Sequence, residues 1–159
     1  MHLRPSRIYF SQDSISNRFG RSTEHAGVMI GETLDDILTG ECSIYDIDPI
    51  EVETQNGVYR TADNRRLWIF KKLEELGECT TIPVCLISAI DSSAKCETEK
   101  TIRVRADPGG HLWRTWGQAT RRRRYAALYE SDSESTDSDS DSDQERLRYS
   151  FSRFSMSSR

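Results

Sequence analysis

The stretch Ile50-Glu-Val-Glu-Thr-Gln-Asn-Gly-Val-Tyr-Arg-Thr-Ala-Asp-Asn-Arg-Arg-Leu-Trp-Ile-Phe70 decides how this chain folds. Asn56-Gly57 is the dipeptide preferred by a two-residue type I′ turn, so the residues on either side predict a β-hairpin. Counting outward pairs Gln55 with Val58, Thr54 with Tyr59, Glu53 with Arg60 and Val52 with Thr61. In that register Glu53 faces Arg60, an opposite-charge pair worth about 0.2–1 kcal/mol on an exposed face. Ile50, Val52, Tyr59 and Thr61 share the other face, which is expected to be the buried one. After Ala62 the pattern changes period. From Asp63 to Gly77, Ile69, Phe70, Leu73 and Leu76 fall in a stripe about 100° wide, the mark of a helix packing on a sheet, with Gly77 as its stop.

On the N-terminal side, Arg7-Ile-Tyr-Phe-Ser11 favours a strand, and Gln12-Asp-Ser-Ile-Ser-Asn17 reads as a polar turn. Residues 18–31 read as loop. Thr33-Leu-Asp-Asp36 looks like a capping-box start to a short helix that places Leu34, Ile37 and Leu38 on one face and ends at Gly40. On the C-terminal side, Thr80 to Ser88 predicts a strand, with Pro83 at an edge or at the strand start. Asp91 to Lys100 reads as polar loop, and Thr101 to Arg105 alternates as a last short strand before Pro108-Gly-Gly110. The expected fold class is α+β: a small mixed sheet with a β-hairpin, packed by two or three helices.

Composition sets the organisation around this unit. The chain has 159 residues, too few for two sizeable cores, and only 35% are hydrophobic. The net charge is −4, yet Glu130 to Asp143 holds seven acids and no base; the rest of the chain therefore sets 22 bases against 19 acids, a surplus of +3. The expected division is a folded domain over 7–108, a Trp/Arg-rich basic segment over 109–129, and a Ser/Asp-rich acidic tail with a basic end over 130–159. That tail has too little apolar side chain to offset the entropy of ordering and is expected to be disordered. No window is apolar enough for a membrane span and the N-terminus lacks the core of a secretion signal, so an intracellular location, nucleus or cytoplasm, is expected. Cys42, Cys79, Cys85 and Cys96 match no zinc or redox spacing and are expected to pack as reduced, small apolar groups. His2, His25 and His111 stand alone, and no metal site is expected.

Chemistry concentrates where the hairpin meets the long helix. Asp63-Asn64-Arg65-Arg66 puts two consecutive arginines at a helix N-terminus, whose free N–H groups and positive dipole end favour an anion. Arg66 projects onto the middle of the apolar stripe and Arg65 onto its edge. A guanidinium beside the core needs a carboxylate, a set of carbonyls or a ligand phosphate. The residues leave both readings open: a phosphate site, or a structural tether in which Arg66 pairs with Asp13, Asp35 or Asp36 and Asp63 caps the helix.

The element order and these junction residues resemble the ParB/sulfiredoxin-like fold, over about residues 7–90. In that family a strand, polar loop, short helix and hairpin lead to a Gly-Glu/Asp-Arg-Arg motif that opens a helix and contacts nucleotide phosphates. Ala62 to Trp68 is similar, with Asp63-Asn64 in place of Gly-Glu, and looks most like standalone ParB-like domains with an Asp-Asn-Arg-Arg-Leu helix start. Phe10-Ser-Gln-Asp-Ser-Ile15 resembles the segment after the family's first strand. The resemblance implies a phosphate site drawn from Asp63, Asn64, Arg65, Arg66, Ser11, Gln12 and Ser14, for a nucleotide, with Mg²⁺, or a nucleic acid. The sulfiredoxin motif Phe-Gly-Gly-Cys-His-Arg has no counterpart, which excludes sulfinic-acid reduction. The second nucleotide motif, Glu-Asn-x-x-Arg, and a downstream helix-turn-helix are also missing. A Mg²⁺-dependent nuclease using Asp13, Asp35 or Asp36 is one alternative; a non-catalytic interaction protein with a structural Arg pair is the other.

Two further segments carry weaker signals. Trp113 and Trp116 precede Arg121, Arg122, Arg123 and Arg124, which suits nucleic-acid contact, a nuclear-localisation patch or an ordinary solvated tail. Ser131, Thr136, Ser138, Ser140 and Ser142 each have an acid three residues later, the pattern an acidophilic kinase prefers, and each phosphate would add about −1.5 to −2 charges.

Overall fold

The computed structural model describes residues 1–20, 26–90, 99–118 and 120. The architecture is mixed α+β. The strands are β1 (His2–Leu3), β2 (Ile8–Phe10), β3 (Ser14–Ser16), β4 (Ile50–Gln55), β5 (Val58–Thr61), β6 (Ile82–Ile87) and β7 (Arg103–Arg105). The helices are α1 (Ile30–Thr39) and α2 (Asn64–Leu76), with a 3₁₀ turn at Pro5–Arg7 and further helical residues at 112–118. Five strands form one sheet in the order β1-β6-β4-β5-β2, and β3 and β7 form a separate parallel pair.

The hairpin holds in the expected register, with Val52 opposite Thr61, Glu53 opposite Arg60, Thr54 opposite Tyr59 and Gln55 opposite Val58. Asn56 and Gly57 adopt φ of 52° and 78°, the two positive values a type I′ turn requires. Each hairpin strand then acquires a parallel neighbour, β2 beside β5 and β6 beside β4. Ile50, Val52 and Thr61 are fully buried, as expected, and Tyr59 packs partly buried against the core.

The opposite face of the hairpin differs from expectation, because Glu53 and Arg60 are buried too. Arg60 Nε donates to Glu53 Oε1 at 2.8 Å, and the second guanidinium nitrogen reaches the same oxygen. Glu53 Oε2 accepts the Ile90 backbone N–H at 2.7 Å, and Ile90 is itself buried. The chain after β6 thus folds over the pair and removes it from water. Such a pair is worth little when exposed but is costly to break when buried, since the surviving charge loses its partner without regaining water.

Elsewhere the elements form with shifted limits. The expected polar turn at residues 12–17 contains β3, because Ile15 is buried and the backbone pairs with β7, which lies 89 positions later along the chain. Helix α1 begins at Ile30, not Thr33: Glu32 accepts the Met29 N–H at 3.2 Å and so caps the first turn, while Thr33 is buried within the helix. Helix α2 buries Leu67 and Trp68 in addition to Ile69, Phe70 and Leu73, a wider face than the stripe predicts, and ends at Gly77 with φ 80°. Pro83 is the second residue of β6, opposite His2 of β1, in keeping with a place at the strand start. Cys42 and Cys79 pack partly buried against the core, but Cys85 is exposed on β6, a departure from the expectation of packed thiols; Cys96 lies outside the described residues. Burial, then Glu74 and Glu78, pushes the Cys79 thiol up to about 11, which keeps it protonated at neutral pH.

Packing reaches past both ends of the 7–108 span. Strand β1 pairs with β6, and Trp113 meets Trp68 edge to face with ring centroids 5.6 Å apart. The Asp35 carboxylate, on α1, accepts the backbone N–H groups of His111 (2.7 Å), Leu112 (3.0 Å) and Trp113 (2.8 Å), and so caps the helical residues at 112–118. Gly31 donates its N–H to Pro108 O at 2.7 Å, and a Cβ at Gly31 would fall 2.7 Å from the Gly109 carbonyl carbon, so only glycine permits this backbone-on-backbone crossing. Residues 121–159, with the predicted disorder and the kinase sites, lie outside the described residues, as do residues 21–25, 91–98 and 119.

Arg60→Met is expected to destabilise the domain by about 3–5 kcal/mol in urea denaturation, with much of the loss recovered when Glu53→Leu is added. The Ile90 N–H and then Arg60 hold the Glu53 carboxyl below the ordinary glutamate value. A lowered folded-state value means that this stabilisation is complete above the ordinary glutamate range and is lost as pH falls through the lowered value. The acid side of the stability profile should therefore flatten in Glu53→Gln.

Candidate anion-binding cleft

The start of α2 is tied to two other parts of the chain, the loop after β2 and the residues leading into β4, and each tie uses a side chain from Asp63 to Arg66. Asn64, buried, accepts the Ser11 N–H at 3.0 Å through Oδ1 and donates to Ser11 Oγ at 3.1 Å, which locks the loop after β2 to the helix. Asp63 occupies the N-cap position, yet its carboxylate does not cap the helix. One oxygen accepts the Glu51 N–H at 2.8 Å and the other accepts from Arg66 at 2.7 Å. Arg66 also donates to the carbonyl oxygens of Asp48 (2.9 Å) and Pro49 (3.4 Å). The tether reading holds for Arg66, with the partner corrected. Asp63 takes the role offered to Asp13, Asp35 or Asp36, because a helix geometry brings residues three apart together.

Arg65 is left with a different environment. Its Nε is buried and makes no hydrogen bond, and among the described residues no carboxylate pairs with its guanidinium. It lines a cleft of about 180 Å³ at the start of α2, together with Gln12, Ser16, Asn64 and Arg105 on the polar side and Ile15 and Phe19 on the apolar side. Asp63 and Arg66 also contribute to the wall, but their charges satisfy one another. The excess charge of the cleft is positive. The first-turn N–H groups of a 13-residue helix add their partial positive charge at the same place.

Of the seven residues implied by the resemblance, Gln12, Asp63, Asn64, Arg65 and Arg66 line this cleft. Ser11 is fully buried and spent on Asn64, and Ser14 sits on β3 with its hydroxyl on Asp13 Oδ1 (3.1 Å). Ile15, Ser16, Phe19 and Arg105 are cleft residues that the sequence reading missed. The signal for Arg105 was present in the alternation of residues 101–105, but the β3–β7 pairing that carries it to the cleft joins segments far apart in the chain. Among the nuclease candidates, Asp35 is committed to three N–H donors and Asp13 to the Ser14 hydroxyl. No group of three or more His, Cys, Asp or Glu side chains among the described residues is placed to hold a metal ion. No helix among them is long and apolar enough to cross a membrane.

No family model matches the chain, and no significant match is found among curated proteins or solved structures.

The two neighbouring arginines are expected to respond differently to truncation. Arg66→Ala removes an ion pair and two carbonyl contacts and should lower stability by about 1–3 kcal/mol. Arg65→Ala removes no ion pair or hydrogen bond made among the described residues and should change stability by less than about 0.5 kcal/mol. Denaturant midpoints of the two variants, measured side by side, check this.

Proposed function

We propose that the cleft at the start of α2 binds a phosphate-bearing ligand, a nucleotide or a nucleic-acid phosphate, with Arg65 as its principal contact. The observation that carries the reading is Arg65 itself: a guanidinium at a helix N-terminus whose buried Nε makes no hydrogen bond and which pairs with no carboxylate among the described residues, Asp63 being taken by Arg66. Arginine in such a place has donors left for a planar or tetrahedral oxyanion, and phosphate takes two of them at once. Arg105 lines the same cleft, and Gln12 and Ser16 offer neutral hydrogen bonds.

The ParB/sulfiredoxin resemblance fits the same reading. Strand β2, the polar segment with β3, helix α1, the β4–β5 hairpin and an Arg-Arg helix start follow one another in the order that family uses. The bonding of Arg66 divides the motif into one arginine that builds the site and one that serves it. For the interaction-protein alternative, the observation in favour is the same Arg66, whose donors are met within the fold.

The test is calorimetric and thermal-shift titration of the full chain with inorganic phosphate and nucleoside mono- and triphosphates, with and without Mg²⁺. Binding to the native state should raise apparent stability as RT ln(1 + [L]/Kd). Arg65→Gln should weaken that binding about ten- to a hundred-fold while leaving the unliganded midpoint nearly unchanged. A wild-type chain that responds to none of these anions, or an Arg65→Gln chain that binds as well as wild type, defeats the reading.

A further inference from the structure

The cleft has a cationic extension that a single phosphate would not use. Strand β7 reads Arg103-Val104-Arg105, and its parallel partner β3 sets Ser14 opposite Arg103, Ile15 opposite Val104 and Ser16 opposite Arg105. Ile15 is buried and Val104 packs against the core, so the alternation of a strand turns Arg103 and Arg105 to the same outer face. Both are exposed, and neither makes an ion pair among the described residues. Arg105 lines the cleft with Arg65, and Arg103 stands two residues further along β7, about 6.6 Å away by strand geometry. Asp13 lies beside this row; its carbonyl accepts the Arg103 N–H at 3.0 Å and its carboxylate accepts from the Ser14 hydroxyl. The Arg103 guanidinium is left to solvent.

We infer that Arg65, Arg105 and Arg103 form a track for successive phosphates of a single-stranded nucleic acid, with the cleft at α2 holding one phosphate and β7 the next. The inference rests on the phosphate reading of the cleft and narrows it from any phosphate-bearing ligand to a phosphodiester chain. Three features favour such a strand. Arg65 and Arg105 line one cleft, and Arg103 lies outside its lining, two residues from Arg105 on the same strand. Their spacing along β7 is of the order of adjacent phosphates on an extended strand. Arginine, with its planar fork of donors, is the side chain suited to each phosphate in turn. The rival polyanion is the chain's own Glu130 to Asp143 run, whose charge would also suit the row.

The experiment uses fluorescence anisotropy of the full chain with a labelled twelve-nucleotide single strand. Inorganic phosphate and a mononucleotide serve as probes of the cleft alone, and a peptide of residues 130–143 serves as competitor. The single strand should bind more tightly than the mononucleotide, with log K falling by about 0.7 per contacted phosphate for each unit of log salt concentration. Arg103→Gln should weaken the strand several-fold and reduce that slope by about 0.7, yet leave mononucleotide binding unchanged; Arg65→Gln should weaken both. Unaltered thermal midpoints of the two variants establish that they fold. The inference is overturned if Arg103→Gln binds the strand as wild type does while the mononucleotide still binds, which leaves the cleft reading standing. It is also overturned if replacing Arg121 to Arg124 by Gln removes all strand binding, or if the acidic peptide binds the row more tightly than the strand. If neither strand nor mononucleotide binds, the cleft reading falls with it.

Discussion

The helix that faces the sheet starts at a point where three separate pieces of chain must agree, and everything at the cleft depends on how that agreement is made. Asn64 holds the end of β2 through two hydrogen bonds to Ser11, and Asp63 holds the start of β4 through the Glu51 N–H. Arg66 then joins Asp63 to the carbonyls before β4. The Asn64–Ser11 bonds satisfy polar groups that burial would otherwise leave unpaired, and the partly exposed Asp63 and Arg66 bonds hold the first turn against β4. The consequence is selective. Three of four consecutive polar side chains are consumed by architecture, and the fourth, Arg65, lines the cleft with no ion pair among the described residues.

A second constraint lies on the other side of the sheet. The hairpin presents Glu53 and Arg60 on the face away from the helices, where a two-layer fold would ordinarily leave them in water. The chain after β6 covers them, with the Ile90 N–H completing the hydrogen bonding of the carboxylate. Once buried, the pair specifies the register more strictly than apolar packing does, because a one-residue slip would separate two charges inside the fold. The same logic of committing a carboxylate to distant backbone appears at Asp35. It fastens the residues beyond Gly110 to α1 and brings Trp113 onto Trp68.

These two devices explain why acidic residues are poor guides to chemistry in this chain. Asp35, Asp63 and Glu53 each accept two or more hydrogen bonds from the fold, and their carboxylates stabilise connections between segments. The arginines divide differently. Arg60 and Arg66 are matched inside the domain, whereas Arg65, Arg103 and Arg105 make no ion pair among the described residues. Two of these three, Arg65 and Arg105, line the cleft where β3 and β7 meet the start of α2.

Local signals in the sequence were enough for the hairpin and its register, since Asn56-Gly57 dictates a turn geometry and the turn counts out the pairs. They were enough for the core of α2 and for the glycine stops at Gly40 and Gly77, because periodicity and left-handed caps are properties of neighbouring residues. Five of the seven residues proposed for a phosphate site also line the observed cleft. The remainder could only be decided by the folded chain. Strand β3 needed a partner far along the sequence, and without it Ser14 to Ser16 is a polar turn. Arg105 reaches the cleft through that same pairing. Whether Glu53 and Arg60 are wet or dry depends on where residue 90 passes, and which of two adjacent arginines is free depends on which carboxylate and carbonyls lie within reach. Propensity and period act over a few residues; burial, hydrogen-bond satisfaction and the matching of charges are settled between segments that meet only when the chain has folded.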